Sequence, residues 1–509
     1  MKKRSLGLGL GMLSAFLLTV PALAQNVDQK IQALEQELLQ LKEQQIELKK
    51  EATEAAAAMP TFSYRPGNGL EIEAADKSWS FRPTIETYFR MLFEEGRDQV
   101  GRTNGEIMGR RFRPGFFFCI NNCLWEIEAA IDMDGFGTGN AKNATGDDVG
   151  SILQRGALNV HLENLNPFLP TVQLGMEVSN SMSSARQGSS ATGSQAEYDL
   201  HTRNNGFNTG RAGNGIVLNW DDRSLSGIGI PGRISRFQLS MAQMGEGDDG
   251  LSSFTDRKDF NAYINFQPFS QTKNMWLRGM AFEFGSWFCN ADDRALSNGC
   301  SRYRIQDHGD GGRQTLFDSG ADSIGDGLHI GLTPGITWNI GPYTLRAMAH
   351  RQRSEDRGGT PGRKKGDSWL IGHDLFLWSP KGFLTGSANT PGSILLGTHF
   401  ERVDMEVGCN GGTGISCASV VAAGGSAQLN QFHRNRILLR EADIWYFVAP
   451  RMSIGLNWLW YDASNLRNGN NQAAHNLGVC DTPATPANGC RNGKGGDWHT
   501  LFLNWRYTF

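Results

Sequence analysis

Arginines and carboxylates recur at even spacing through much of this chain. Arg82, Glu86 and Arg90 share a parity within one segment, Arg111 and Arg113 within a second, and Glu126, Glu128 and Asp132 within a third. Spacing by two puts such groups on one face of an extended strand. Rows of fixed charge break no bonds. They set up a field along a surface, and in a lined passage that field sorts ions. Alternation assigns Arg82, Arg90, Arg111, Arg113, Arg155, Arg236, Arg346 and Arg506 to a polar inner face. It sends Glu86, Glu126, Glu128, Asp132, Glu163, Glu177 and Asp374 to the same face. Arg110 stands next to Arg111. A further set, Arg186, Arg203, Arg211 and His201 against Glu197 and Asp199, falls in a long segment over 179–213, the natural constriction of such a passage. Each arginine has two readings: a salt bridge that braces a wall, or a charge that attracts a solute. A mixed ring passes small solutes of either sign, whereas rings of arginine favour anions.

Other chemistry finds weaker footing. Asp307, His308 and Asp310, with Asp318, Asp322 and Asp326, offer oxygen ligands for Ca²⁺. EF-hand spacing is absent, so a solvated acidic loop is expected and no metal site. No Ser/His/Asp or His/Glu spacing marks a hydrolase, although sites built from distant strands keep a barrel enzyme open as an alternative. No cofactor motif is found outside the first residues. Eight cysteines fall into four local pairs: Cys119/Cys123, Cys289/Cys300, Cys409/Cys417 and Cys480/Cys490. None is CxxC, and in an exported chain short, even pairing reads as disulfides.

Export itself is written at the start. Lys2, Lys3 and Arg4 precede an apolar run from Leu6 to Val20 and a small-residue box, Ala22-Leu23-Ala24. Residues 1–24 read as a signal peptide, with a membrane anchor as the alternative. Residues 25–60 read as a coiled-coil segment. Val27, Ile31, Leu34, Leu38, Leu41 and Leu48 keep a 3-4 spacing, Gln45 is the one polar seam position, and Ala52 and Ala55 continue it. A lone surface helix is the competing reading. Residues 61–78 are a linker, and 79–509 are strands.

Those strands alternate sharply. At the end of the chain Leu501, Leu503, Trp505, Tyr507 and Phe509 share one face, while Thr500, Phe502, Asn504 and Arg506 share the other. An aromatic-rich apolar face opposite a polar one is expected of a strand with one side in lipid. Sixteen such segments start near residues 79, 106, 124, 154, 171, 214, 232, 258, 273, 326, 341, 363, 393, 435, 450 and 496. Short turns alternate with long loops. The expected fold is all-β: a 16-stranded antiparallel transmembrane β-barrel after a short periplasmic α-helical coiled coil, with both termini in the periplasm of a Gram-negative-type bacterium. Pro83 and Pro114 fall inside proposed strands, where a shared bulge is expected. Three cysteine pairs are placed in long external loops, and Cys119/Cys123 across a short turn. Without Lys2, Lys3 and Arg4, 46 Lys+Arg face 52 Asp+Glu. That mild acidity excludes a duplex-binding role, which needs a basic stripe.

Several runs resemble the phosphate-selective porin O and P family. They are Gly69 to Phe81 (GLEIEAADKSWSF), Gly109-Arg110-Arg111-Phe112, Trp125 to Asp132 (WEIEAAID), Asn164 to Gly175 (NLNPFLPTVQLG) and Ser379 to Gly386 (SPKGFLTG). The resemblance spans most of the mature chain. It implies a trimer of 16-stranded barrels carrying anions such as phosphate along an arginine ladder. Arg110 and Arg111 match the family's paired arginine on the second strand. Glu86 reverses the charge of the ladder residue on the first strand, and Met176-Glu177-Val178 replaces a basic, aromatic stretch. The expected function is therefore passive diffusion of small hydrophilic solutes through an outer-membrane channel, modestly preferring anions. The expected partners are outer-membrane lipid, lipopolysaccharide and two further copies of the chain. A barrel sheath or adhesin with disulfide-braced loops is the alternative.

Overall fold

A computed structural model describes residues 20–65, 69–95, 104–132, 152–178, 212–224, 232–243, 259–291, 304–306, 315–318, 327–356, 362–409, 432–462 and 497–508. One unit is a helix, α1, over Val20–Ala58. Leu, Gln, Glu, Lys and Ala dominate it, all strong helix formers. It ends where Pro60 pushes Met59 out of the helical region. Its start lies inside the stretch assigned to the leader, earlier than the expected residue 25. Leu34, Leu38, Leu41 and Leu48 are all exposed on the single chain.

The other unit is the barrel. Its strands are β1 (Trp79–Glu95), β2 (Asn104–Ile120), β3 (Trp125–Asp132), β4 (Ile152–His161), β5 (Thr171–Val178), β6 (Ala212–Ser224), β7 (Arg233–Gln243) and β8 (Asp259–Gln267). They continue with β9 (Met280–Ala291), β10 (Gly327–Ile340), β11 (Tyr343–Asp356), β12 (Gly362–Ser379), β13 (Ile394–Cys409), β14 (Phe432–Ala449), β15 (Met452–Asp462) and β16 (Asp497–Thr508). The hydrogen-bonded sheet holds 19 strands among the described residues. Three of them, Thr61–Arg65, Gly69–Glu73 and Gly382–Phe383, are short appendages. The other sixteen pair antiparallel in chain order, and β16 pairs with β1 from Thr508–Glu86 to His499–Glu95, which closes the cylinder. Closure leaves no long free edge.

Fifteen strand starts lie within three residues of expectation. The exception is β9, expected near 273. There Asn274 accepts a hydrogen bond from the Trp276 backbone N–H (3.0 Å) and caps a single helical turn, Met275–Arg278. An asparagine cap outweighs strand propensity at that point. The bulge is displaced too. It falls between Tyr88 and Phe89 rather than at the prolines, with Arg110 skipped between Gly109 and Arg111. Pro83 lies beyond the last β16–β1 pair, and Pro114 lies just past the last β2–β3 pair, Gly115–Ala130. Each proline stands where one neighbouring ladder has stopped, which removes the conflict.

The Cys119–Cys123 disulfide is formed, with Cα atoms 4.6 Å apart. It staples a turn in which Asn121, Asn122 and Cys123 all have positive φ. Asparagine tolerates that region better than most residues. β9 runs on to Ala291 and β13 to Cys409, so the backbones of Cys289 and Cys409 are strand rather than loop. Cys300, Cys417, Cys480 and Cys490 lie outside the described residues, as do the side chains of Cys289 and Cys409. The acidic segment from Asp307 is likewise outside them, apart from a short hairpin of Arg304–Gln306 with Thr315–Asp318.

Candidate functional site: the inner wall

Polarity inverts across the wall. On β16, Phe502, Asn504 and Arg506 are buried, whereas Leu503 and Trp505 are exposed. On β15, Asn457 is fully buried between exposed Leu456 and Trp458. The same alternation on β8 and β9 buries Asn261, Tyr263, Glu283 and Trp287 and exposes Phe282, Phe284 and Phe288. A soluble protein would bury the Phe and Trp set; here the polar set faces in.

The inward arginines are held by partners. Arg113 pairs with Glu86 at 3.7 Å, so the charge-reversed position on β1 neutralises a β2 arginine. Arg236 pairs with Asp221 at 2.6 Å, and Arg346 with Asp374. Arg82 lies 4.5 Å over the Phe117 ring, and Arg506 3.6 Å over the Trp445 ring. Arg90 lies 4.0 Å over the Phe502 ring and donates to Asn504 Oδ1 (3.1 Å) and to the Tyr88 hydroxyl (2.8 Å). Such stacking fixes a guanidinium against the wall. Arg110 and Arg111 are in β2 and Arg155 is in β4, but their side chains lie outside the described residues. So do those of Asp132 and Glu177, and all of Arg186, Arg203 and Arg211.

Cross-strand contacts join into a belt at one level. Arg346 on β11 meets Asp374 on β12. His399 Nε2 on β13 lies 3.7 Å from Asp374 and 3.6 Å from Asp443 on β14. Asn457 Nδ2 on β15 donates to Asp443 and, at 3.4 Å, to Glu441. Asn504 on β16 donates to Asn457 Oδ1 (2.5 Å) and receives Arg90 of β1. Seven consecutive strands are thus linked by side chains of alternating sign or complementary hydrogen bonding. On the adjoining strands β8 to β10, Tyr263 and Thr337 donate to the two oxygens of Glu283 (2.8 and 2.7 Å), and Thr337 stands opposite Arg346. Glu283, Glu441, Asp443 and His399 were not among the expected lining residues, whereas Asn504 was placed on the polar face of its strand. Their period-two spacing was available as a signal; nothing in it says which of them meet.

A second cluster sits at the short-turn end. His161 closes β4, with Nδ1 2.8 Å from Glu163 and Nε2 3.8 Å from Glu126. Asn159 donates to Glu126 (2.8 Å). Burial pushes the Glu163 carboxyl up, but hydrogen bonds from Thr171 (2.7 Å) and His161 outweigh it and leave the carboxyl below its ordinary value. Cys119, Cys123 and Glu126 place ligand-type atoms close together. The two sulfurs are bonded to each other, so neither is a thiolate able to hold a metal.

Several inward polar atoms have no hydrogen-bond partner among the described residues: Asn219 Oδ1, Asn261 Nδ2, Trp287 Nε1, Ser368 Oγ, Thr500 Oγ1 and both amide atoms of Gln352. They are spread over β6, β8, β9, β11, β12 and β16.

No known family matches the chain, and no curated protein matches it. Solved structures that it resembles include OmpT, an outer membrane protein of Vibrio cholerae in a trimer form, at 10% identity and TM-score 0.45 over 85% of this chain and 100% of that one. An anion-selective porin from Comamonas acidovorans gives 11% identity and TM-score 0.46 over 85% and 100%. The outer membrane channel DcaP of Acinetobacter baumannii gives 10% and 0.44 over 85% and 98%. Likeness of that degree says nothing of what this chain conducts or binds.

Proposed function

We propose that this chain is an outer-membrane channel through which small hydrophilic solutes diffuse passively. The observation that carries the reading is the inverted polarity of a closed sixteen-strand barrel: apolar and aromatic outside, charged and amide-rich inside. Barrels of that strand number leave an aqueous passage. The signal-like start, the coiled-coil seam of α1 and the family resemblance support export, assembly as a homotrimer and periplasmic short turns.

Selectivity is the finer part of the proposal. A modest preference for anions rests on Arg110, Arg111 and the arginines of 179–213. Arg113, Arg236 and Arg346 add little, because each faces a carboxylate. A lumen field is screened over about 10 Å at 0.1 M salt, so the preference should fade as ionic strength rises.

Planar-bilayer recording tests both levels. Ohmic steps are expected from the purified protein, and a silent barrel would reject the channel in favour of a sheath or adhesin. In a salt gradient the reversal potential should show weak anion preference, shifted toward cations in Arg111→Glu. A cation-selective wild type would refute the finer statement alone.

A further inference from the structure

The outer wall is not uniformly apolar. On β11 to β15 the outward positions change character partway up the strands. Nearer the short turns they are Ile371, Ile444, Leu456 and Trp458. Then comes an aromatic tier: Trp369 stacks on Phe400 with centroids 5.1 Å apart, and Arg440 lies 4.0 Å over the Trp460 ring. Above it every outward position in the next row is charged. Arg351, Asp367, Asp404 and Arg436 stand in register across four strands. Arg351 pairs with Asp367 at 2.8 Å. Asp404 is clamped by Arg402 and Arg436 at 2.5 and 2.8 Å. One row higher, Arg353 stands directly opposite Lys365.

The position of this patch matters. Trp378 and Trp369 both face outward on β12, nine residues apart. At about 3.3 Å per residue and a tilt of about 40°, that is about 23 Å along the barrel axis. It matches the expected apolar band of about 25 Å between aromatic girdles. The charged rows therefore begin where hydrocarbon ends, on the long-loop side. Arginine on the lipid face is costly at the midplane and tolerated only near the interface, which agrees. Among the described side chains cations outnumber carboxylates there, six (Arg351, Arg353, Lys365, Arg402, Arg436 and Arg440) to three (Asp367, Asp404 and Asp462); in the backbone register Glu406 stands opposite Lys365 and Arg434 opposite Glu406. A second copy of the same cationic face would be repelled. A phosphorylated headgroup would be attracted, and guanidinium forks suit phosphate oxygens.

We propose that the outward face of β11 to β14, at the level of Arg351, Arg353 and Lys365, binds the phosphorylated headgroup of an outer-leaflet glycolipid. Acyl chains lie along the Ile371 and Ile444 surface below. The Trp369, Phe400 and Trp460 tier marks the boundary between the two. The proposal rests on reading the barrel as an outer-membrane protein.

The test uses the full-length protein in detergent micelles, with bis-phosphorylated lipid A, dephosphorylated lipid A and inorganic phosphate as probes. Binding is read by native mass spectrometry and by the shift in unfolding temperature. Bis-phosphorylated lipid A should bind at least about tenfold more tightly than the dephosphorylated form, since each basic group near an anionic surface adds a few-fold. The variant Arg351→Gln/Arg353→Gln/Lys365→Gln should lose that difference. It leaves the Arg402–Asp404–Arg436 clamp intact, and Asp367, which loses Arg351, stays half exposed to solvent. Lys273→Gln/Arg278→Gln, at the short-turn end, should bind like the wild type. Equal binding of both lipids, unchanged binding by the triple variant, or displacement of the lipid by millimolar inorganic phosphate would overturn the site. A triple variant whose subunit count falls would show instead that the face joins protomers, and that also overturns it. Channel conductance of the triple variant is recorded in parallel. Lost lipid binding with retained conductance is the expected pair, and a protein that fractionates as soluble material fails the underlying reading instead.

Discussion

Gly455 on β15 should not tolerate even a methyl group. Trp445 of the neighbouring β14 lies flat across it. A Cβ at Gly455 would stand 2.2, 2.3 and 2.5 Å from three carbons of the indole. Carbon atoms rest at about 3.5–4.0 Å, so the ring would have to retreat by at least about 1.3 Å toward the lumen. Arg506 is stacked 3.6 Å over the same ring, so a shift of the ring disturbs that contact. Over-packing of this kind costs about 1–3 kcal/mol. The sign is informative, because Gly→Ala at an unhindered site usually stabilises by about 0.4–1 kcal/mol through the unfolded chain. We expect Gly455→Ala to lower barrel stability by about 1–2 kcal/mol in urea unfolding from lipid vesicles, followed by tryptophan fluorescence. Trp445→Leu will be destabilising alone, since a large buried ring is lost. Added to Gly455→Ala, it should cost less than the sum, because the clash is gone, giving a coupling of about 1 kcal/mol. The displaced Trp445 and Arg506 should also lower single-channel conductance in Gly455→Ala. An unchanged or raised stability, or strict additivity in the double-mutant cycle, would refute the stacked arrangement of Gly455, Trp445 and Arg506.

Three further outcomes are expected. Unreduced peptide mapping should recover the Cys119–Cys123 link, and Cys119→Ala/Cys123→Ala should lower stability by about 2 kcal/mol for so short a loop. The same mapping should find 289–300, 409–417 and 480–490, and long-range pairing instead would contradict the sequence reading of those loops. Replacing Leu34, Leu38 and Leu41 with Ser should weaken assembly through α1 while the barrels still migrate as heat-modifiable species, and a native monomer in sedimentation would reject the oligomer. Glu163 has a depressed folded pKa, so its stabilising effect is present above the ordinary carboxylate value of 4.5 and disappears as pH falls through the folded value. Glu163→Gln should therefore destabilise at pH 7 by less than 1 kcal/mol, as the pair is partly exposed, and be neutral near pH 3; equal effects at both pH values would contradict the His161–Glu163 arrangement.

Much of the architecture is fixed by local pattern. A strand repeats every two residues, so a run such as Leu501 to Arg506 carries its two faces in its own spelling. Sixteen such runs, divided by Gly- and Asn-rich breaks, specify strand count and approximate ends. The helix is legible for the same reason, with a different period. A local cap competes with strand propensity at Asn274, and there the pattern misplaced a strand start. Two other points depended on neighbours. Pro83 and Pro114 looked like breaks in a ladder, but the ladder in question had already ended on one side.

Partnership is what only the tertiary structure decided. Alternation sends Glu86 and Arg113 inward, yet it does not say that they face each other, because that depends on the β1–β2 register, which pairs them directly. The belt from Arg346 to Arg90 joins residues up to 414 positions apart, through closure of β16 on β1. No period in the sequence encodes that distance. The outward cations at Arg351, Arg402 and Arg440 break the apolar alternation on individual strands, where each reads as an exception. Set in register by pairing, they fall in three successive rows of one patch. The sequence determines which way each side chain points; the closed sheet determines what it meets, because register and closure are properties of strand pairs and not of strands.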